Sequence, residues 1–288
     1  MDLLNYAFMQ RALLAAVLVG LTAPAIGTYL VQRRQAVMGD GIGHVAMTGV
    51  ALGFLLNTNP VWMASIVAVV GAVGMELIRS RGRTSGDIAL AMLFYGGLAG
   101  GVMIINVAGG STASLSSYLF GGITSVAPED VTAAAVLAVF VLAVTVGLRR
   151  QLFAISQDEE FARVTGLPVR ALNLLMAVTA ALTVTVAMRI VGLLLVSAMM
   201  VIPVAAAQRV TRGFTATLTL AMAIGVLVSL TGVTTTYYLD APSGAAIVLL
   251  AIAVFVVMTA VSAPLARRRA KAARAAAEEV CTRDDVKV

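Results

Sequence analysis

"MGDGIGHVAMTGVALGFLL", residues 38–56, is an apolar run interrupted by one carboxylate and one imidazole. Asp40 and His44 stand four positions apart, and His44 is the only histidine in the chain. On a helix this spacing puts both side chains on one face, with Cβ atoms roughly 5–6 Å apart. The run is close to the ~20 residues that a helix needs to cross a bilayer. A carboxylate within such a span is costly unless it is paired or hydrated, and it reads as functional by default.

The rest of the chain agrees with a lipid solvent. It is 60% hydrophobic and 12% charged, with a mean hydropathy of +0.98, whereas soluble domains are about half apolar and about one quarter charged. Aromatics are scarce, and Ala, Val, Leu and Gly dominate, which suits tightly packed spanning helices better than a lipid-facing barrel. Apolar segments fall near 12–31, 36–56, 61–78, 86–107, 131–148, 171–188, 191–207, 215–236 and 244–264. They predict an all-α, polytopic membrane protein with eight or nine transmembrane helices, the 191–207 segment being marginal in length. "RALLAAVLVGLTAPA" has the flavour of a secretion signal, but the apolar run continues through Val31, so an uncleaved first helix is expected. Residues 1–264 form the membrane domain and 265–288 a charged tail, predicted to lie as an amphipathic helix on anionic lipid.

Charge sets the orientation. Of the 20 basic residues only Arg11 and Arg189 fall opposite the rest, which occupy alternate loops and the tail. The positive-inside rule makes that shared face cytoplasmic, with the N-terminus out and the C-terminus in. The net charge of +6 is therefore a topology signal, and no nucleic-acid partner is expected. Glu129, Asp130 and Asp240 fall outside and read as solvated loop residues. Glu76 and Arg79 read as an ion pair at a helix end. "YGGLAGG" (95–101) holds two overlapping GxxxG spacings, which serve close helix packing.

A carboxylate and an imidazole on one face suit a borderline divalent cation such as Zn²⁺ or Mn²⁺. The competing readings are a purely structural Asp–His hydrogen bond and a pair close enough to the cytoplasmic end to be wet. Two ligands half-fill a tetrahedral site, so a second copy of the chain or water would complete it. The single cysteine, Cys281, lies in the tail, which excludes a thiolate cluster. Met199 and Met200 read as apolar filler. Lysine occurs only at 271 and 287, so no phosphate-binding GxxxxGK[ST] loop exists. Any pumping must draw on an ion gradient or on a partner ATPase. So few ionisable residues within the spans favour the partner. In the polar loop 151–170, "EFARVTG" (160–166) places Glu160, Ala162 and Gly166 in an E-x-A-x-x-x-G pattern. Such a helix, ended by Gly166 and Pro168, would present itself to a soluble subunit.

Together these segments resemble the permease subunits of bacterial zinc and manganese ABC importers. "MGDGIGHVAMTGVALGFLL" is similar to the family's Asp-x-x-x-His helix, "YLFGGITSVAPEDV" to its outer re-entrant loop, and "QDEEFARVTGLPV" to its ATPase-docking loop. "VAMRIVGLLLVSAMMVIPVAAAQRV" and "TTTYYLDAPSGAAIVLL" are similar to its later helices. The resemblance implies a homodimeric pore, separate cytoplasmic ATPase subunits, and an extracellular metal-binding protein that delivers Zn²⁺ or Mn²⁺ as cargo, with no bound cofactor. It implies metal contact by Asp40 and His44, and ATPase coupling by Glu159, Glu160, Ala162 and Gly166. It also implies an outer gate at Tyr118, Phe120 and Gly121. The "SVAPED" segment leans towards the zinc members. The rivals are an iron-chelate or cobalamin-type permease and a proton-coupled cation carrier.

Overall fold

The computed structural model describes residues 6–80, 86–108, 119, 121, 126–239 and 243–262. The tail 265–288, Tyr118, Phe120 and Asp240 lie outside the described residues. Every regular element among the described residues is helical. The order is α1 (Ala7–Gln32), α2 (Met38–Leu55), α3 (Pro60–Ser80), α4 (Gly86–Val107) and α5 (Pro128–Leu142), then α6 (Arg149–Gln157), α7 (Glu159–Val164), α8 (Val169–Val191), α9 (Leu193–Val210) and α10 (Phe214–Leu239). The last helix is α11 (Ser243–Ser262). A π-turn at Ala143–Gly147 links α5 to α6, and buried Tyr29 of α1 donates its hydroxyl to the Thr145 carbonyl there.

Seven helices are long and apolar enough to cross a bilayer: α1, α3, α4, α5 with its π-turn, α8, α10 and α11. The count of eight or nine is completed by α2 and α9, of 18 residues each. In α2 the apolar character is diluted by Asp40, His44 and a run of glycines. The first helix is continuous through the apolar run, as expected, and Pro24 sits inside it.

Cross-links between helices fix their direction. At one end, Arg33 after α1 bonds to Asn173 in α8 and to Glu159 in α7, and Arg79 near the end of α3 also reaches Glu159. At the opposite end, Asp130 of α5 pairs with Arg189 of α8 at 3.0 Å. The loops therefore alternate as the charge pattern predicts, with an arginine-rich end and a second, opposite end. Asp130 departs from the solvated-loop reading: it is 9% exposed and also accepts a hydrogen bond from the Ala127 amide, because its partner arrives from a distant helix.

The short α9 resolves the marginal segment. It begins after Gly192, whose φ is +92°, and the Leu193 side chain lies against Gly43 in the interior of α2. So α9 starts inside the bundle, not at its rim. It still ends at the arginine-rich end: Arg209 stands over the Phe255 ring of α11, and Phe214, opening α10, packs on Tyr29 and Phe153. The later helices thus keep their direction, although α9 is shorter than a full span.

Packing puts α2 at the centre, against α3, α4, α8 and α9. In lipid, helices associate through close van der Waals contact, which small residues permit. A Cβ added to Gly49 would lie 2.6 Å from Ala64 Cα, and one added to Gly97 would lie 2.6 Å from the Val45 amide. Of the two overlapping GxxxG spacings, Gly97–Gly101 faces α2 and Gly100 also meets Thr48 there, whereas Gly96 meets nothing within 4 Å. The Thr48 hydroxyl fastens the seam by donating to the Gly97 carbonyl at 2.6 Å.

Candidate functional site

The first two turns of α2 carry Asp40 and His44. His44 Nε2 lies 3.9 Å from Asp40 Oδ1, too long for a hydrogen bond. Two metal–ligand bonds of about 2.1 Å at a tetrahedral angle put their donor atoms about 3.4 Å apart, so these two would share a cation only after closing by about half an ångström. Ser197 Oγ of α9 donates to Asp40 Oδ1 at 3.4 Å and adds an oxygen that the sequence pattern does not single out. A serine within an apolar run usually bonds its own helix, so nothing local marks it.

The surroundings of the two residues differ. His44 is 6% exposed, with its ring edge-on to Phe94 at 4.3 Å between centroids. Its Nδ1 is buried and has no hydrogen-bond partner among the described residues. A buried polar atom left unpaired costs about 1–3 kcal/mol. Asp40 keeps 32% of its side chain exposed and lines an open groove of about 500 Å³ with Arg34, Val37, Leu90, Phe94 and Tyr95. The groove, lined mostly by apolar side chains, opens onto the carboxylate, and the imidazole lies one turn further along α2, buried behind Phe94. No group of three or more His, Cys, Asp or Glu side chains that could hold a metal occurs among the described residues.

At the arginine-rich end, α7 begins at Asp158, whose Oδ1 accepts from the Glu160 and Phe161 amides, an N-cap that fixes so short a helix. Gly166, with φ +82°, and Pro168 close it, as the pattern predicts. The four residues grouped by the resemblance separate here. Glu160 and Gly166 are exposed, together with Phe161 and Val164. Ala162 is fully buried, and Glu159 turns inward to Arg33 and Arg79 at 3.1 and 3.3 Å. The expected Glu76–Arg79 pair forms with two contacts of 2.7 and 2.8 Å, but Glu76 is 4% exposed and joins the same cluster. Burial, and then the Arg79 charge, hold the Arg33 guanidinium below its usual pKa, while Glu159 and Glu76 oppose that shift.

Of the outer-gate residues only Gly121 is described. Its backbone packs on Val191 and Gly192 at the start of α9, and its φ of +67° is one that glycine adopts without strain. Gly121 therefore sits against the junction of α8 and α9, whose next residue, Leu193, lies against Gly43.

A multi-pass helical bundle with an N/O donor pair inside one span, and a capped loop helix at its basic end, defines a membrane transport subunit. The chain belongs to the ABC 3 transport family, whose model matches residues 5–262. It is 32% identical over 254 residues to the manganese transport system membrane protein MntC of Halalkalibacterium halodurans, covering 88% of this chain and 87% of that one. It is 30% identical over 259 residues to the probable iron transport system membrane protein of Haemophilus influenzae, covering 90% and 95%. Its fold matches PsaBC from Streptococcus pneumoniae, solved in complex with Fab, with a TM-score of 0.79 at 30% identity over 89% of this chain and 92% of that one. The chain is a transport component, and ATP hydrolysis belongs to a separate subunit.

Proposed function

We propose that this chain is the permease of an ATP-driven importer that carries a divalent transition-metal cation past Asp40 and His44. The observation that carries the reading is the unfinished state of that pair, 3.9 Å apart and beside an open groove. Asp40 supplies the negative charge that offsets loss of the cation's water, and neutral His44 supplies a nitrogen. Two donors bind weakly enough to release their ion, as conduction requires. A two-fold partner copy would gather two of each donor at its axis. The manganese relative favours Mn²⁺, with Zn²⁺ the second cargo that the same donors fit.

The exposed face of α7, with Glu160, Phe161 and Val164, is the docking face for a cytoplasmic ATPase. The opposite end receives an external metal-binding protein. The charge rule places the arginine-rich end in the cytoplasm, so the N-terminus is outside and the C-terminus inside. The test is rescue of growth. The chain, expressed with its ATPase and binding protein, should restore growth of a manganese-import-deficient bacterium on limiting Mn²⁺. Rescue of a zinc-import-deficient strain alone would reassign the cargo to Zn²⁺, and rescue of neither would overturn the reading.

A further inference from the structure

The resemblance groups Glu159 with the ATPase-facing residues, yet its side chain faces the other way. Its Oε2 accepts from Arg33 Nη2 at 3.1 Å and from Arg79 Nη2 at 3.3 Å, and its Oε1 accepts from Asn173 Nδ2 at 3.3 Å. Arg163, one turn along α7, lies 3.5 Å from Oε1. One carboxylate is thus held by groups from α7, α8, the end of α1 and the end of α3. Arg33 is 7% exposed at its side chain and is fixed again by Asn173 Oδ1 at 2.7 Å. A second tie joins the preceding positions, Gln157 Nε2 donating to Gln32 Oε1 at 2.9 Å.

From Arg33 the chain reaches Asp40 without slack. Arg34 adopts φ +60°. Four amides of the turn are hydrogen-bonded, with Arg33 and Arg34 donating to Tyr29 and Val31, Gln35 to Leu30, and Met38 to Gln35. Asp40 then lies in the first turn of α2. The other face of α7 makes none of these contacts, since Phe161 is 65% and Val164 is 87% exposed.

We propose that Glu159 is a positioning residue that clamps α7 to Arg33, so that movement of α7 is passed through the α1–α2 turn to Asp40. The proposal rests on the reading that α7 docks an ATPase, and it assigns Glu159 to the permease side of that helix. Replacing Glu159 by Gln keeps its shape but leaves Arg33 and Arg79 facing each other with only Glu76 to balance them. Coupling of this kind is read as cargo moved per ATP hydrolysed.

The experiment reconstitutes the permease with its ATPase in liposomes and measures Mn²⁺ imported per ATP hydrolysed. Glu159→Gln should keep the ATPase bound and hydrolysing, but should import about tenfold less Mn²⁺ per ATP, within the usual range of coupling effects. The Arg33→Gln/Glu159→Gln double variant leaves no buried arginine uncompensated, so it carries the test if the single variant does not accumulate. It should accumulate normally and remain uncoupled. Normal import per ATP in the double variant would mean that Glu159 only neutralises Arg33, and would overturn the proposal. Loss of the ATPase from Glu159→Gln and from the double variant would place Glu159 in the docking face, and would overturn it equally. Val164→Glu separates the underlying reading: it should release the ATPase, and retention would refute docking at α7 whatever Glu159 does.

Discussion

The Asp40–His44 pair and the Glu159 cluster are both polar groups set among apolar helices, but they are satisfied to opposite degrees. Asp40 and His44 stop 3.9 Å apart, with His44 Nδ1 buried and unpaired among the described residues. Glu159 instead receives donors from four segments, and its main partner Arg33 is itself held twice. A fully bonded cluster resists rearrangement, because removing one member leaves a charge uncompensated. An incompletely bonded pair in a tight bundle has capacity left for something that comes and goes. Degree of satisfaction, more than polarity, separates the two roles.

Four substitutions sharpen this contrast. The largest effect is expected for Asp40→Asn, which keeps shape but removes the charge that offsets cation desolvation. Metal uptake should fall by about a hundredfold or more, since even outer partners of metal ligands are worth about 10–100-fold. Its thermal midpoint should hold, because no saturated contact is lost. Glu159→Ala should do the reverse to stability. It should lower unfolding free energy by about 3 kcal/mol, the low end for breaking a buried pair, because Glu159 keeps 28% exposure. Denaturation in detergent checks both. If Asp40→Asn destabilises as much as Glu159→Ala, the contrast fails. The smallest effect is the control at the α2–α4 seam. Gly97→Ala should cost about 1–3 kcal/mol by overpacking, while Gly96→Ala, facing open space, should be neutral by the same assay.

Much of the molecule is legible in its sequence, for identifiable reasons. Length and apolar content select helices that must satisfy their own backbones, and the arginine pattern gives the alternation of loops that Arg33–Asn173 and Asp130–Arg189 display. The spacing of Asp40 and His44 is local, so their shared face follows directly. What escapes is tertiary. The six residues of α7 are too few for periodicity to say which side is buried, so Glu159 groups with Glu160 in sequence although the two face opposite ways. Overlapping GxxxG spacings offer two faces, and only the neighbouring helix selects Gly97–Gly101. Asp130 reads as solvated because Arg189 lies far along the chain. Ser197 gives no signal at all, being one hydroxyl in an apolar run.

The central claim is that the pair in α2 is a cargo site and not a packing contact. Its most direct test is initial Mn²⁺ uptake by His44→Ala against the unmodified chain, at neutral pH, with ATPase present and membrane abundance matched. A cargo site predicts that uptake is abolished or falls by about a hundredfold while ATPase binding persists. Equal uptake rates would contradict it, leaving His44 as a packing residue and sending the metal by another route.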